Sequence, residues 1–126
     1  MTELNQKTVI LAVDDTPENL DVVKSALGGN YVVKAAINGM IALKIAQQAP
    51  PDLVLLDIRM PGMDGFEVME KLRANEATQG IPVIFLTGGS DSEVRQRAED
   101  MGAAGFVTKP IDGDVLRQSV ATALTD

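Results

Sequence analysis

Leu53-Val54-Leu55-Leu56-Asp57 is an apolar run closed by a carboxylate, and Val9-Ile10-Leu11-Ala12-Val13 followed by Asp14-Asp15 has the same form. Strands buried in a parallel sheet read as continuous apolar stretches, and ligands of open α/β sheets bind at the carboxyl ends of such strands. Carboxylates placed there project into a crevice. If the two strands are neighbours, three of them converge. A like-charged pair at about 4 Å costs roughly 4 kcal/mol at an effective dielectric near 20, so the cluster calls for a cation. Oxygen-only donors suit a hard divalent ion such as Mg²⁺, which binds through one or two carboxylates and shares a substrate phosphate. The arrangement points to phosphate chemistry.

Working outward, apolar runs alternate with amphipathic stretches along the whole chain, the pattern of βα units around a parallel sheet. The spacing predicts strands over 8–13, 31–36, 52–56, 82–86 and 104–107, and helices over 17–28, 39–48, 65–74, 91–101 and 112–124. Stripes such as Leu20, Val23, Leu27 and Leu116, Val120, Leu124 fall on one helical face. Helix starts are marked by Thr16-Pro17 as cap and first position, by Asp64 with Glu67 as a capping box, and by Ser90 with Glu93 likewise. Right-handed crossovers make this a doubly wound five-stranded parallel sheet of the flavodoxin-like kind, order 2-1-3-4-5. That order sets strands one and three side by side, with Asp14-Asp15 facing Asp57.

Composition narrows the chemistry. A length of 126 residues fits one domain, and 45% hydrophobic content excludes a disordered chain. No apolar run reaches the ~20 residues needed to span a membrane, and the first residues do not read as a secretory signal, so a cytoplasmic location is the expectation. A net charge of −7 argues against direct nucleic-acid binding. The chain has neither Cys nor His, which removes thiolate nucleophiles, imidazole bases and nearly all zinc sites. A nucleophile must be a carboxylate, hydroxyl or amine.

Two further strand ends point to the same mouth. Val83-Ile84-Phe85-Leu86 ends in Thr87 before Gly88-Gly89, and the fifth strand ends in Thr108-Lys109-Pro110. An ammonium and a hydroxyl beside carboxylates make a clamp for phosphoryl oxygens.

Val-Asp-Asp-Thr at 13–16, Leu-Asp-Ile-Arg-Met-Pro-Gly-Met-Asp-Gly at 56–65, Thr87-Gly88 and Lys109-Pro110 together resemble a response-regulator receiver domain of two-component signalling, over essentially the whole chain. The resemblance implies that Asp57 accepts a phosphoryl group from a phosphohistidine on a sensor histidine kinase or histidine phosphotransfer protein, or from a small donor. It implies that Mg²⁺ is held by Asp15, Asp57 and the backbone carbonyl of Arg59, with Asp14 acting largely through bound water. Lys109 and Thr87 would contact the phosphoryl group. Thr87 and Phe106 would form the switch, altering the face built by helix four, strand five and helix five for an effector or a phosphorylation-dependent homodimer. It further implies a cis peptide at Lys109-Pro110. Such a domain catalyses only its own phosphorylation and dephosphorylation.

Two other functions share parts of this pattern. A flavodoxin-like electron carrier needs a hydroxyl- and amide-rich loop where this chain has Asp14-Asp15. An aspartate-nucleophile phosphatase of small molecules would carry a cap domain for its substrate. A third reading keeps the family but makes the chain the amino-terminal regulatory module of a longer regulator, since Val13 to Leu20 resembles receivers fused to signalling enzymes, including cyclic-dinucleotide phosphodiesterases. Asp64 is assigned to helix capping, while Arg59 and Gly89 are expected to flank the mouth, Gly89 leaving phosphorus open to water.

Overall fold

The structure, a computed structural model, describes residues 8–89 and 92–125. Its strands are β1 (Val9–Val13), β2 (Val32–Ala36), β3 (Leu53–Asp57), β4 (Val83–Thr87) and β5 (Gly105–Thr108), and its helices α1 (Pro17–Leu27), α2 (Gly39–Gln48), α3 (Gly65–Ala74), α4 (Ser92–Asp100) and α5 (Gly113–Thr125). All pairings are parallel in the order β2-β1-β3-β4-β5, as the alternating pattern predicts.

Strand residues alternate between two apolar layers because successive side chains point to opposite faces. Leu11, Val13, Val54, Leu56 and Phe85 pack with α2, α3 and α4. Ile10, Ala12, Leu55, Leu86 and Val107 pack with α1 and α5 through Leu20, Val23, Leu116 and Val120. Every residue of β3 and β4 is buried, so each polar group at their ends is delivered from a rigid, dry base. Phe66 and Phe85 contact each other with ring centroids 5.4 Å apart, and Tyr31 packs against the α1 and α5 layer, in keeping with core roles.

The last three strands each run one residue further than the sequence spacing indicates, so Asp57, Thr87 and Thr108 are themselves strand residues. The ladder continues past them: Ile58 N–H donates to the Leu86 carbonyl at 3.3 Å and Lys109 N–H to the Thr87 carbonyl at 2.8 Å. Helix ends also differ in detail. Asp64 and Glu67 form the full capping box. Thr16 occupies the cap position before Pro17, but its hydroxyl makes no capping bond. Its N–H donates instead to Asp14 Oδ1 at 2.9 Å, and its carbonyl serves Asn19. The loop is thus tied to the carboxylate. Asn38 caps α2 by accepting from Ile41 N–H, unannounced by any acidic partner three residues on. The Ser90 box lies outside the described residues.

Candidate functional site: an acidic mouth at the carboxyl edge of the sheet

β1 and β3 adjoin, and their register pairs Val13 with Leu56, so the next residues on each, Asp14 and Asp57, emerge together. Carboxylate oxygens of Asp14, Asp15 and Asp57 lie within 4.8 Å of one another. Asp14 is fully buried and Asp57 is 3% exposed, whereas Asp15 faces solvent. Asp15, Asp57, Arg59, Thr87, Gly89 and Lys109 line one cavity of about 230 Å³; Asp14 stands behind it.

Lys109 offsets the charge. Its Nζ lies 2.9 Å from Asp14 Oδ2 and 3.1 Å from Asp57 Oδ1, reaching across from β5, and the Lys109-Pro110 peptide is cis. Burial lifts the Asp57 carboxyl from 3.8 to about 6; the hydrogen bond from Lys109 opposes this, and the Asp14 charge reinforces it. Burial alone would lower the Lys109 ammonium, but its bonds to Asp14 and Asp57 and their charges prevail and hold it above its ordinary value. Lys109 bridges two of the three carboxylates, so the cluster itself keeps a negative charge. The donors that Asp14, Asp15 and Asp57 offer are all carboxylate oxygens, the kind that suits a hard divalent ion.

The Thr87 hydroxyl sits at the other rim and turns back on its own loop, donating to the Gly89 carbonyl at 3.3 Å and accepting from Gly89 N–H at 3.4 Å. Both bonds are long and local, so the hydroxyl can leave them for a better acceptor at small cost. Gly89 has open space where a side chain would stand, as expected for a residue flanking the opening. Phe106 is not in the mouth. It lies half-buried on β5 against the α4 layer, with the Arg95 guanidinium 4.8 Å from its ring centroid.

Two supports escaped the sequence reading. Asn19, in the first turn of α1, donates to both Asp14 oxygens at 3.3 and 3.2 Å. Gly65, opening α3, packs so tightly on β3 that a Cβ there would stand 2.8 Å from Ile58 Cα and collide with the Asp57 carbonyl, while its N–H donates to the Ile58 carbonyl at 2.8 Å. The Met-Asp-Gly segment held that signal: a glycine just after a cap marks a helix start pressed against its neighbour.

A parallel sheet of this order with an acidic, lysine-bridged mouth defines a phosphoacceptor domain of the receiver class. Residues 10–121 match the response regulator receiver domain, and the chain belongs to that family. It is 44% identical over 98% of its length to a probable cyclic di-GMP phosphodiesterase of Vibrio cholerae and 40% identical over 92% to the response regulator PleD of Caulobacter vibrioides. It spans only 28% and 26% of the lengths of those two relatives. By contrast it covers 96% of the protein PilH of Pseudomonas aeruginosa at 35% identity. The crystallised chemotaxis protein CheY4 of Vibrio cholerae superposes with a TM-score of 0.90 at 31% identity, over 94% of this chain and 100% of that one. Among the described residues no helix is long and apolar enough to cross a membrane.

Proposed function

We infer that Asp57 is the phosphoacceptor of this receiver, taking a phosphoryl group from a phosphohistidine of a sensor histidine kinase or histidine phosphotransfer protein in the cytoplasm. The observation that carries the reading is Lys109 Nζ bridging Asp57 and Asp14 in a cavity that also presents Asp15 and Thr87. An Asp57 carboxylate oxygen attacks phosphorus, the bond to the donor nitrogen breaks, and the imidazole leaves. The transition state spreads charge over three equatorial oxygens, and Lys109 is placed to hold one of them. Thr87 gives up its Gly89 contacts and donates to another. Mg²⁺, when held by Asp15, Asp57 and the Arg59 carbonyl with Asp14 behind bound water, would supply the remaining positive charge.

The transfer is stoichiometric, so the chain acts as a signalling acceptor rather than a turnover enzyme. Its output is a shift between two arrangements of the α4, β5 and α5 face, reported by Phe106, toward binding an effector or a second copy. The short coverage of the phosphodiesterase and of PleD favours a second reading, that this single domain, 1–126, regulates an output enzyme carried on a longer chain. Incubation with acetyl phosphate and Mg²⁺ should add the mass of one phosphoryl group to wild type and none to Asp57→Asn. Equal labelling of both proteins, or of neither, would remove Asp57 from the role.

A further inference from the structure

Asp14 is fully buried, and its carboxylate is held by protein donors. Thr16 N–H serves Oδ1 at 2.9 Å and Lys109 Nζ serves Oδ2 at 2.9 Å. Asn19 Nδ2 spans both oxygens at 3.3 and 3.2 Å. The three donors differ in kind. Thr16 contributes a backbone group of the same loop, and Lys109 is shared with Asp57. Asn19 is the one described side chain whose amide is committed to Asp14 alone, and it is carried on α1, a helix pinned by Leu20, Val23 and Leu27. When Lys109 turns toward a phosphoryl oxygen, Asn19 and the Thr16 N–H remain to hold Asp14, and Asn19 is the one side chain of the two.

A carboxylate already fixed loses little freedom when a cation arrives, and hydrogen bonds that orient such groups from behind typically govern metal affinity by about 10- to 100-fold. We propose that Asn19 is a positioning residue: by holding the Asp14 carboxylate in one orientation behind the mouth, it sets the affinity of the acidic pocket for a divalent cation that it does not itself touch. This rests on reading Asp14, Asp15 and Asp57 as the Mg²⁺ site. It is a role for a neutral amide, which a purely electrostatic account of the pocket would overlook, because the amide adds donors without cancelling the charge that attracts the ion.

The test is a titration of the full chain with magnesium chloride, followed through the backbone amides of Asp15, Ile58 and Thr87 by NMR. Asn19→Ala and Asn19→Leu, the latter of similar volume but without donors, should each raise Kd about tenfold while the spectrum of the sheet is retained. A folded variant whose Kd stays within about twofold of wild type would overturn the proposal and leave the metal site standing. Absence of any response in wild type would instead overturn the site beneath it. Should neither variant fold, the wild-type side-chain amide protons of Asn19 decide: held by Asp14, they exchange slowly and shift on adding Mg²⁺, whereas unprotected, unresponsive protons refute the clamp.

Discussion

Helices α3 and α4 lie on the same side of the sheet, each following a strand that delivers a site residue, yet they are fastened very differently. α3 buries Gly65, Phe66, Val68, Met69 and Leu72, and its start is closed by the Asp64 and Glu67 box. α4 buries Ala98 alone, in a helix otherwise rich in charged residues. Two of its arginines meet the protein over rings, Arg97 at 4.2 Å from Phe66 and Arg95 at 4.8 Å from Phe106. Few buried apolar contacts mean a low free energy of local opening. The helix behind Asp57 belongs to the frame, and the helix behind Thr87 is the less deeply anchored of the two. Geometry at Asp57 must be fixed for chemistry, whereas a response needs an element with two arrangements separated by a small free energy.

Unequal truncation costs test that contrast most strongly. Leu72→Ala should lose about 2–5 kcal/mol in urea unfolding, because a fully packed leucine leaves a cavity. Val94→Ala on α4, half-buried at the start, should lose less than about 1 kcal/mol. Comparable losses would mean that α4 is as firmly held as α3 and that the response lies elsewhere.

The frame also carries a charge at its own expense. Asp57 binds its proton more tightly folded, at about 6, than unfolded, at 3.8, so the stability this group contributes is full below pH 4 and is lost as pH rises through 6. In metal-free buffer Asp57→Asn should therefore gain on wild type in urea unfolding as pH rises from 4 to 7.5. A difference that does not vary with pH would show that the rigid side of the mouth is not storing this cost.

Midway between the two helices in effect, the open ground at Gly89 should control water. A bulky residue such as Arg there has space and should slow loss of the phosphoryl group, an added barrier of roughly 1 kcal/mol giving about fivefold. Unchanged decay would show that water reaches phosphorus by another side.

Much of the framed side was readable from the chain because its logic is local. Asp14 and Asp57 close apolar runs, and a charge at the end of a buried strand has few places to go. The capping box at Asp64 is written within four residues. Asn19 was not readable, since an asparagine in a first helical turn is ordinary and its approach to Asp14 depends on the angle at which α1 leaves β1. Thr16 and Pro17 take the cap and first helical positions that the sequence indicates. The missing hydroxyl bond of Thr16 and the tie of its N–H to Asp14 were not readable, since both depend on how the turn folds back on the carboxylate. Strand ends came out one residue short at Asp57, Thr87 and Thr108 because polar side chains hide a backbone ladder that continues through them. The yielding side is the least legible, because Arg95 and Phe106 sit on separate elements and no periodicity joins them.

That last contact supports the smallest effect. An exposed guanidinium over a ring is worth about 0.5–1 kcal/mol, and Arg95 spends it on the half-buried arrangement of Phe106. Removing it should not change the fold or the affinity for phosphoryl donors, since neither residue lines the mouth. It should move the balance of Phe106 arrangements inward by about two- to fivefold, the Boltzmann equivalent of that energy. Ring resonances of Phe106 in Arg95→Ala, read with and without beryllofluoride and Mg²⁺, measure this directly. A population unmoved by the substitution would mean that α4 does not restrain the aromatic and that the two helices differ in anchoring without differing in role.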